Sequence, residues 1–285
     1  MLRKIENQNF QAERALYNLK DTEVVNCTFA GPEDGESPFK EARNVVVSDC
    51  TFSLRYPFWH DVDTKIVNCK LEEPTRAPLW YSNDLEILNT EIMSVKALRE
   101  CNNIVIRDSK FHSEEFMWRC GNVKLYDSEV KSAYAFFQCH DMEISGLHLM
   151  GKYSFQYTKN ITVRNSILDT KDAFWHAENI TVIDSVVKGE YLSWYSDRVT
   201  FINCRIIGTQ PLCYDTNLVL KDCTMEGCDF SFEYSQVEAD VKGHIMSVKN
   251  PGSGTITCDS CGEVIMEDAV YPTDGVVVLR ETMPC

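Results

Sequence analysis

Ile180-Thr181-Val182-Ile183-Asp184-Ser185-Val186-Val187 is one copy of a motif that recurs. Ile161-Thr162-Val163-Arg164-Asn165-Ser166-Ile167-Leu168 precedes it and Val199-Thr200-Phe201-Ile202-Asn203-Cys204-Arg205-Ile206 follows it, both at an offset of 19 in the numbering. Aligned on Asn/Asp, the copies form a column of Asn26, Asp49, Asn68, Asn89, Asp108, Asp127, Gly146, Asn165, Asp184, Asn203 and Asp222. Every step in it is 19, save one of 23 and one of 21 near the start. A fixed short period is the mark of a solenoid. The residue two before the column is always apolar, from Val24 and Val47 to Phe201 and Leu220, and so is the residue three after it. Polar residues such as Lys65, Glu86 and Thr162 alternate with them. Alternation with β-branched enrichment means strand. A leucine-rich repeat holds a strand and a helix or 3₁₀ turn in about 20–29 residues, and this pattern leaves little room for a helix. The spacing therefore predicts an all-β parallel β-helix of about 11 coils of about 19 residues, covering 21–236. Asn and Asp tolerate left-handed backbone and suit its corners. The next column, Cys27, Cys50, Cys69, Thr90, Ser109, Ser128, Leu147, Ser166, Ser185, Cys204 and Cys223, is mostly small and suits a tight inner corner.

The chain has 285 residues, 44% hydrophobic and 25% charged, with a net charge of −15. That apolar content supports a core, and the near end-to-end repeat indicates one domain, 1–285. The acidic balance argues against nucleic acid and anionic membrane partners. No stretch approaches the ~18 apolar residues of a membrane span. The N-terminus lacks a hydrophobic signal region, so a cytoplasmic location is expected. Five of the 13 cysteines occupy the inner-corner column, and Cys101, Cys120 and Cys139 form another at the same period. They read as buried structural thiols in a reducing compartment. Cys258-Asp-Ser-Cys261-Gly is half of a zinc knuckle. A structural zinc needs four ligands, which only His244 and Cys285 could supply, so no metal and no cofactor are expected.

Residues 1–20 read as an N-terminal cap, with Phe10–Tyr17 as a short helix or strand, and 237–285 as a C-terminal cap of irregular strands. Gly31–Pro38 and Glu72–Pro78 read as corner insertions that explain the long steps. Counting back from the residue that opens each strand (Asn44 to Gln236), the fifth position is a core column of Phe39, Phe58, Phe136, Phe155 and Phe174 among others. The fourth is Lys40, Trp59, Trp80, Arg99, Trp118, Phe137, Gln156, Trp175, Trp194, Cys213 and Phe232, which includes all five tryptophans. The third holds His60, Tyr81, Tyr157, His176, Tyr195, Tyr214 and Glu233. Lys, Arg and Gln are seldom fully buried, so a column mixing them with Trp reads as a partly exposed aromatic strip, with Lys96, Lys171, Asp172 and Glu190 along a facing wall. Stacked ladders beside surface ion pairs are the plainer reading of the same columns. One coil and one residue separate Asp172 from Glu190, which allows carboxylates on the order of 5 Å apart, as in a retaining glycosidase. Lys171 and Glu190 share a column and could equally form a salt bridge. No Ser-His-Asp order, P-loop or dinucleotide fingerprint is present.

Gly35-Glu-Ser-Pro38, Lys171-Asp-Ala-Phe-Trp175, Gly189-Glu-Tyr-Leu192, Leu212-Cys-Tyr214 and Asn250-Pro-Gly-Ser-Gly254 resemble the bacterial family DUF3737, over nearly the whole chain. The resemblance implies a right-handed parallel β-helix of the pectin-lyase-like class, and it carries no assigned activity or catalytic residues. The calcium-binding Asp cluster of a pectate lyase is not evident. Two functions fit. One is a saccharide, or a small acidic metabolite, bound or processed in a lateral groove by a hydrolase, lyase or isomerase. Trp80, Lys96, Arg99, Trp118, Lys171, Trp175, Trp194 and Tyr214 would bind, and Glu190, Asp172, His176 and Glu233 would act as acids and bases. The other is a non-catalytic scaffold whose aromatic strip is an interface. The oligomeric state is left open.

Overall fold

A computed structural model describes residues 2–31 and 36–281. The chain divides into two compact units, Met1–His148 and Leu149–Cys285. Both are parallel β-solenoid, and no α-helix occurs among the described residues. No helix there is long and apolar enough to cross a membrane.

In the first unit, one sheet stacks strands Arg3–Glu6, Lys20–Val25, Arg43–Ser48, Val62–Val67, Asn83–Leu88, Asn102–Arg107, Gly121–Tyr126 and His140–Ser145. Its register sets Ile5, Val24, Val47, Ile66, Ile87, Ile106, Leu125 and Ile144 one above another. A second sheet stacks Phe10, Phe29, Phe52, Leu71, Ile92, Phe111 and Val130 against them. In the second unit, Val163, Val182, Phe201, Leu220, Ala239, Ile256 and Val277 form the corresponding stack. Val24, Val47, Ile66, Ile87, Ile106, Leu125 and Ile144 are fully buried, as are Val163, Val182 and Phe201. Each buried side chain therefore meets its own counterpart one coil away, and an apolar column of sequence becomes a column of core.

The corners follow from the same columns. From Asn26 to Asp222 every non-glycine member of the Asn/Asp column has φ between 45 and 56°. The amides are also linked between coils: Asn89 Nδ2 donates to Asn68 Oδ1 at 2.8 Å, and Asn203 Nδ2 to Asp184 Oδ1 at 2.7 Å. In the inner-corner column Ser109 Oγ accepts the Thr90 amide at 3.1 Å and donates to the Arg107 carbonyl at 2.7 Å. Cys50 Sγ likewise accepts the Cys27 amide and donates to the Ser48 carbonyl. Ser, Thr and Cys interchange there because each is a small group that can both accept and donate.

The solenoid has about 14 turns rather than the 11 expected. The sequence column missed Asn7, which is left-handed like the others and sits two residues beyond buried Ile5. It also lost strands Gln236–Val241, Ser253–Cys258 and Val276–Leu279, which continue the sheet in parallel. There the step shortens to 17 between Ala239 and Ile256 and lengthens to 21 between Ile256 and Val277, so a frame of fixed period slides off. Residues after Phe10 form turns rather than a helix, and Glu73–Thr75 within the Glu72–Pro78 insertion is a 3₁₀ turn. Residues 32–35 of the Gly31–Pro38 insertion, and with them Gly35 of the family-like Gly35–Pro38, lie outside the described residues.

Candidate functional site

Left-handed residues alternate along the second half of each coil in Leu149–Cys285: Asp172, Phe174 and His176, then Tyr191, Ser193 and Tyr195. A left-handed non-glycine residue costs about 1–2 kcal/mol. Two features of the coil offset it. The Phe174 ring is fully buried, and amides are satisfied in the next coil, Asp172 N by Glu190 O and His176 N by Trp194 O, both at 2.9 Å. The result leaves Trp175 half-buried and His176 exposed.

Trp175 and Trp194 stack with centroids 5.4 Å apart and planes 7° apart. Their indole N–H groups donate to carbonyls of the following coil, Trp175 to Tyr191 at 2.7 Å and Trp194 to Gln210 at 2.9 Å. Gln156, in the same column, donates from Nε2 to the Asp172 carbonyl at 3.3 Å. At Gln156, Trp175 and Trp194 the column thus tolerates both Trp and Gln because each supplies an N–H donor between coils, whereas the buried Trp80 indole N–H has no such partner. Beside it runs a second ladder, Tyr157–His176–Tyr195–Tyr214, with successive centroids 4.9, 5.4 and 4.6 Å apart and rings within 16° of parallel. Tyr157 and Tyr195 are each 50% exposed. Tyr157 stacks on His176, and Tyr195 lies between His176 and Tyr214, so the ring faces of the ladder cover one another.

The charges adjoin this surface. Lys171 Nζ lies 2.7 Å from Glu190 Oε2 and 5.3 Å from the Tyr191 ring centroid. The bond to Glu190 raises the Lys171 pKa. Tyr191 meets Trp194 edge-on, and Trp194 meets Tyr195 in the same way. Asp172 is buried, and its pKa is raised mainly by that burial, with the Lys171 charge opposing and the Glu190 charge adding. The structure therefore brings Lys171, Glu190, Trp194 and, through the Trp175 and Tyr195 stacks, Trp175 and His176 onto one strip, with Tyr191 joining the charges to the rings and Asp172 buried beside Lys171. Tyr214 extends it, and burial, with Glu233 nearby, pushes its pKa up to about 12. Glu233 itself pairs with Lys249 at 2.9 Å. The frame shifts here: Tyr234 rather than Glu233 is the left-handed counterpart of Tyr214, and Phe232 is fully buried like Phe174. Glu233 thus occupies the tryptophan column, and Phe232 belongs to the core column rather than the strip.

In Met1–His148 the Arg99 guanidinium lies 5.3 Å from the Trp80 ring and 4.7 Å from the Trp118 ring. Arg99 is ion-paired to Glu115, which also faces Lys96 at 3.8 Å. Trp118 donates to the Tyr134 carbonyl at 2.9 Å. Both cations expected to hold an acidic ligand are thus balanced by a carboxylate of the chain. Glu115 and Tyr191 were missed by sequence reasoning. The signal for Glu115 was present, since it follows Lys96 at the same offset by which Glu190 follows Lys171. Three surface depressions, of about 290, 410 and 300 Å³, are lined by residues within Asn44–Val105, Thr224–Met246 and Asn68–Lys110, and none of the proposed site residues lines them.

Cys258 is buried, Cys261 is half-buried with its thiol on the Glu263 carbonyl, and His244 Nδ1 is 2.9 Å from Ser260 Oγ. Cys285 lies outside the described residues. No group of three or more His, Cys, Asp or Glu suited to a metal occurs among the described residues.

The model of a family described as a protein of unknown function, DUF3737, matches residues 3–278. No curated protein matches the chain. Among solved structures it is similar to the A-module of the mannuronan C-5 epimerase AlgE6 of Azotobacter vinelandii, at 11% identity over 90% of this chain and 89% of that one, with a TM-score of 0.41. It is similar to PfbA, a surface adhesin of Streptococcus pneumoniae, at 12% identity over 78% and 72%, with a TM-score of 0.42. It is also similar to the catalytic domain of a GH87 α-1,3-glucanase, at 9% identity over 98% of this chain and 64% of that one, with a TM-score of 0.37.

Proposed function

We propose that this chain, which belongs to the DUF3737 family of proteins of unknown function, binds a saccharide along the aromatic strip of its Leu149–Cys285 unit. The observation that carries the reading is the Tyr157–His176–Tyr195–Tyr214 ladder, exposed at its first three members and half-buried at Tyr214. The ladder sets tyrosines and an imidazole at intervals of one coil, a row of groups able to donate and accept that suits a chain of hydroxyl-bearing rings. Trp175 and Trp194 flank it with half-buried apolar surface, and the Lys171–Glu190 pair borders it. If bond-making accompanies binding, Asp172 is the group whose burial favours the protonated form required of a general acid, and Glu190 is the neighbouring carboxylate. His176 and Glu233 lie further along the strip as secondary candidates. We assign the protein to a reducing compartment, the cytoplasm, because its described thiols other than Cys261 are buried and several, such as Cys50, hydrogen-bond to carbonyls at coil corners.

The test is a glycan array with the whole protein, followed by tryptophan-fluorescence titration of each hit. Tyr195→Phe, which removes one hydroxyl and keeps the stack, should weaken binding several-fold. Absence of any glycan hit, or wild-type affinity in Tyr195→Phe and Trp175→Ala together, overturns the reading. With a bound glycan in hand, Glu190→Gln separates binding from chemistry, because it keeps size and removes the titratable group. A second reading, a protein-docking face, is favoured by one observation: the rings of both ladders cover one another's faces, which a stacking sugar would otherwise use.

A further inference from the structure

In Met1–His148 several surface cations face a carboxylate one coil away. Lys65 pairs with Glu86 at 2.8 Å, Lys110 with Glu129 at 3.1 Å and Arg119 with Glu100 at 3.4 Å. Arg76 breaks this pattern. It ends the 3₁₀ turn Glu73–Thr75 of the Glu72–Pro78 insertion, with a left-handed φ of 54°, and it is exposed. Its neighbour in the next coil is another cation: the Arg76 carbonyl accepts the Val95 amide at 3.1 Å and the Lys96 amide at 2.8 Å. Arg76 makes no ion pair among the described residues. Lys96 faces Glu115, but Arg99 is paired to the same oxygen, Oε2, so one carboxylate serves two cations. Arg99 is 14% exposed and held between the Trp80 and Trp118 rings, so it stays where Lys96 and Glu115 are. Arg76, Lys96 and Arg99 thus set three positive charges against the single carboxylate of Glu115, in a chain whose net charge is −15. Glu73 and Glu114, beside them in the chain, pair with none of the three.

We infer that Arg76 and Lys96, backed by Arg99, bind the phosphate group of a small phosphate monoester. Like charges on neighbouring strands destabilise each other, and an anion seated between Arg76 and Lys96 removes that repulsion. The size of the charge selects the ligand. Two positive charges are in excess over Glu115, and a phosphate monoester carries about −1.5 to −2 near neutral pH, whereas a monocarboxylate would leave one cation unmatched. The donors also fit. A guanidinium fork takes two phosphate oxygens at once, and an ammonium supplies a compact charge for a third. Val95, 42% exposed and next to Lys96, offers apolar contact to the ester's carbon skeleton. The insertion that lengthens this coil delivers Arg76 to the position, since its 3₁₀ turn ends on that residue. The site lies in the other unit from the tyrosine ladder and does not depend on the saccharide reading.

The experiment is isothermal titration calorimetry of the whole protein with phenyl phosphate, and with benzoate as the monoanion of similar shape. Ionic strength is held fixed, because salt screens exposed charges. Wild type should bind one phenyl phosphate per chain, at least about tenfold more tightly than benzoate. Arg76→Gln and Lys96→Gln should each weaken phenyl phosphate binding several-fold, and the double variant should abolish it, with unchanged circular dichroism spectra. Lys124→Gln, at an exposed lysine on strand Gly121–Tyr126, should leave binding as in wild type. No saturable binding by wild type, benzoate bound as tightly as phenyl phosphate, wild-type affinity in both single variants, or an equal loss in Lys124→Gln overturns the inference.

Discussion

Replacing Asp215 by Ser should stabilise the protein, and more so as pH rises. Asp215 is fully buried in a column whose other members in its unit are Thr158, Ala177, Ser196 and Ser235. Its Oδ1 accepts the Ser196 amide at 2.8 Å, and its own amide donates to Ser235 Oγ at 2.9 Å. Its Oδ2 makes no hydrogen bond of good geometry, although the buried Ser193 hydroxyl lies close enough to act on the carboxyl. Burial pushes the carboxyl pKa well above the ordinary 3.8, against the pull of the Ser193 hydroxyl and Ser196 amide. A serine at this position can take over the Ser196 bond and donate to a local carbonyl, as Ser235 does to Leu212 at 2.7 Å. An unsatisfied buried polar group costs about 1–3 kcal/mol. Subtracting about 1 kcal/mol for the space left by the smaller side chain leaves an expected gain of about 0–2 kcal/mol at pH 8. Because the folded-state pKa lies above the unfolded one, the carboxyl's contribution is whole below the unfolded pKa and is lost as pH rises through the folded one. The wild-type slope can reach about 1.4 kcal/mol per pH unit for this group. Asp61, buried with an unpartnered Oδ2 in Met1–His148, retains its own slope in the variant. Urea unfolding at pH 5 and pH 8, read by tryptophan fluorescence, measures both quantities. A variant less stable than wild type at pH 8, or one whose loss of stability from pH 5 to pH 8 equals that of wild type, refutes the reasoning.

Trp175→Ala removes a half-buried ring, its stack on Trp194 and its bond to Tyr191, and should cost about 2–3 kcal/mol in urea unfolding, below the ~3–5 kcal/mol of a fully buried aromatic. Failure to fold would make the tryptophan column core rather than strip. Gly189→Ala should cost more than about 3 kcal/mol, because φ is 149° and a Cβ would lie 1.5 Å from the Thr170 carbonyl oxygen. Gly243→Ala, with φ of 86° and open space around it, should cost only about 1 kcal/mol by the same assay; equal losses for the two glycines would contradict the coil-contact explanation.

The repeat alone was enough to place the solenoid, its core and its corners. Val163, Val182 and Phe201 fall in one stack because a parallel coil pairs each residue with the one a full period later, so sequence spacing is spatial neighbourhood. The same offset pairs Lys171 with Glu190 and Lys96 with Glu115. It fails where the offset changes, at Ala239, Ile256 and Val277, and at the longer step that moves Glu233 into the tryptophan column. What each column does emerged in three dimensions. Gln156 and Trp175 look unlike in sequence, yet both donate an N–H to the next coil. Asp215 and Ser196 share a column, yet only the carboxyl is left with an unpartnered oxygen. Spacing sets which residues are neighbours. Side-chain torsions and the packing of adjacent coils set which atoms meet, and the chemistry of the strip depends on those atoms.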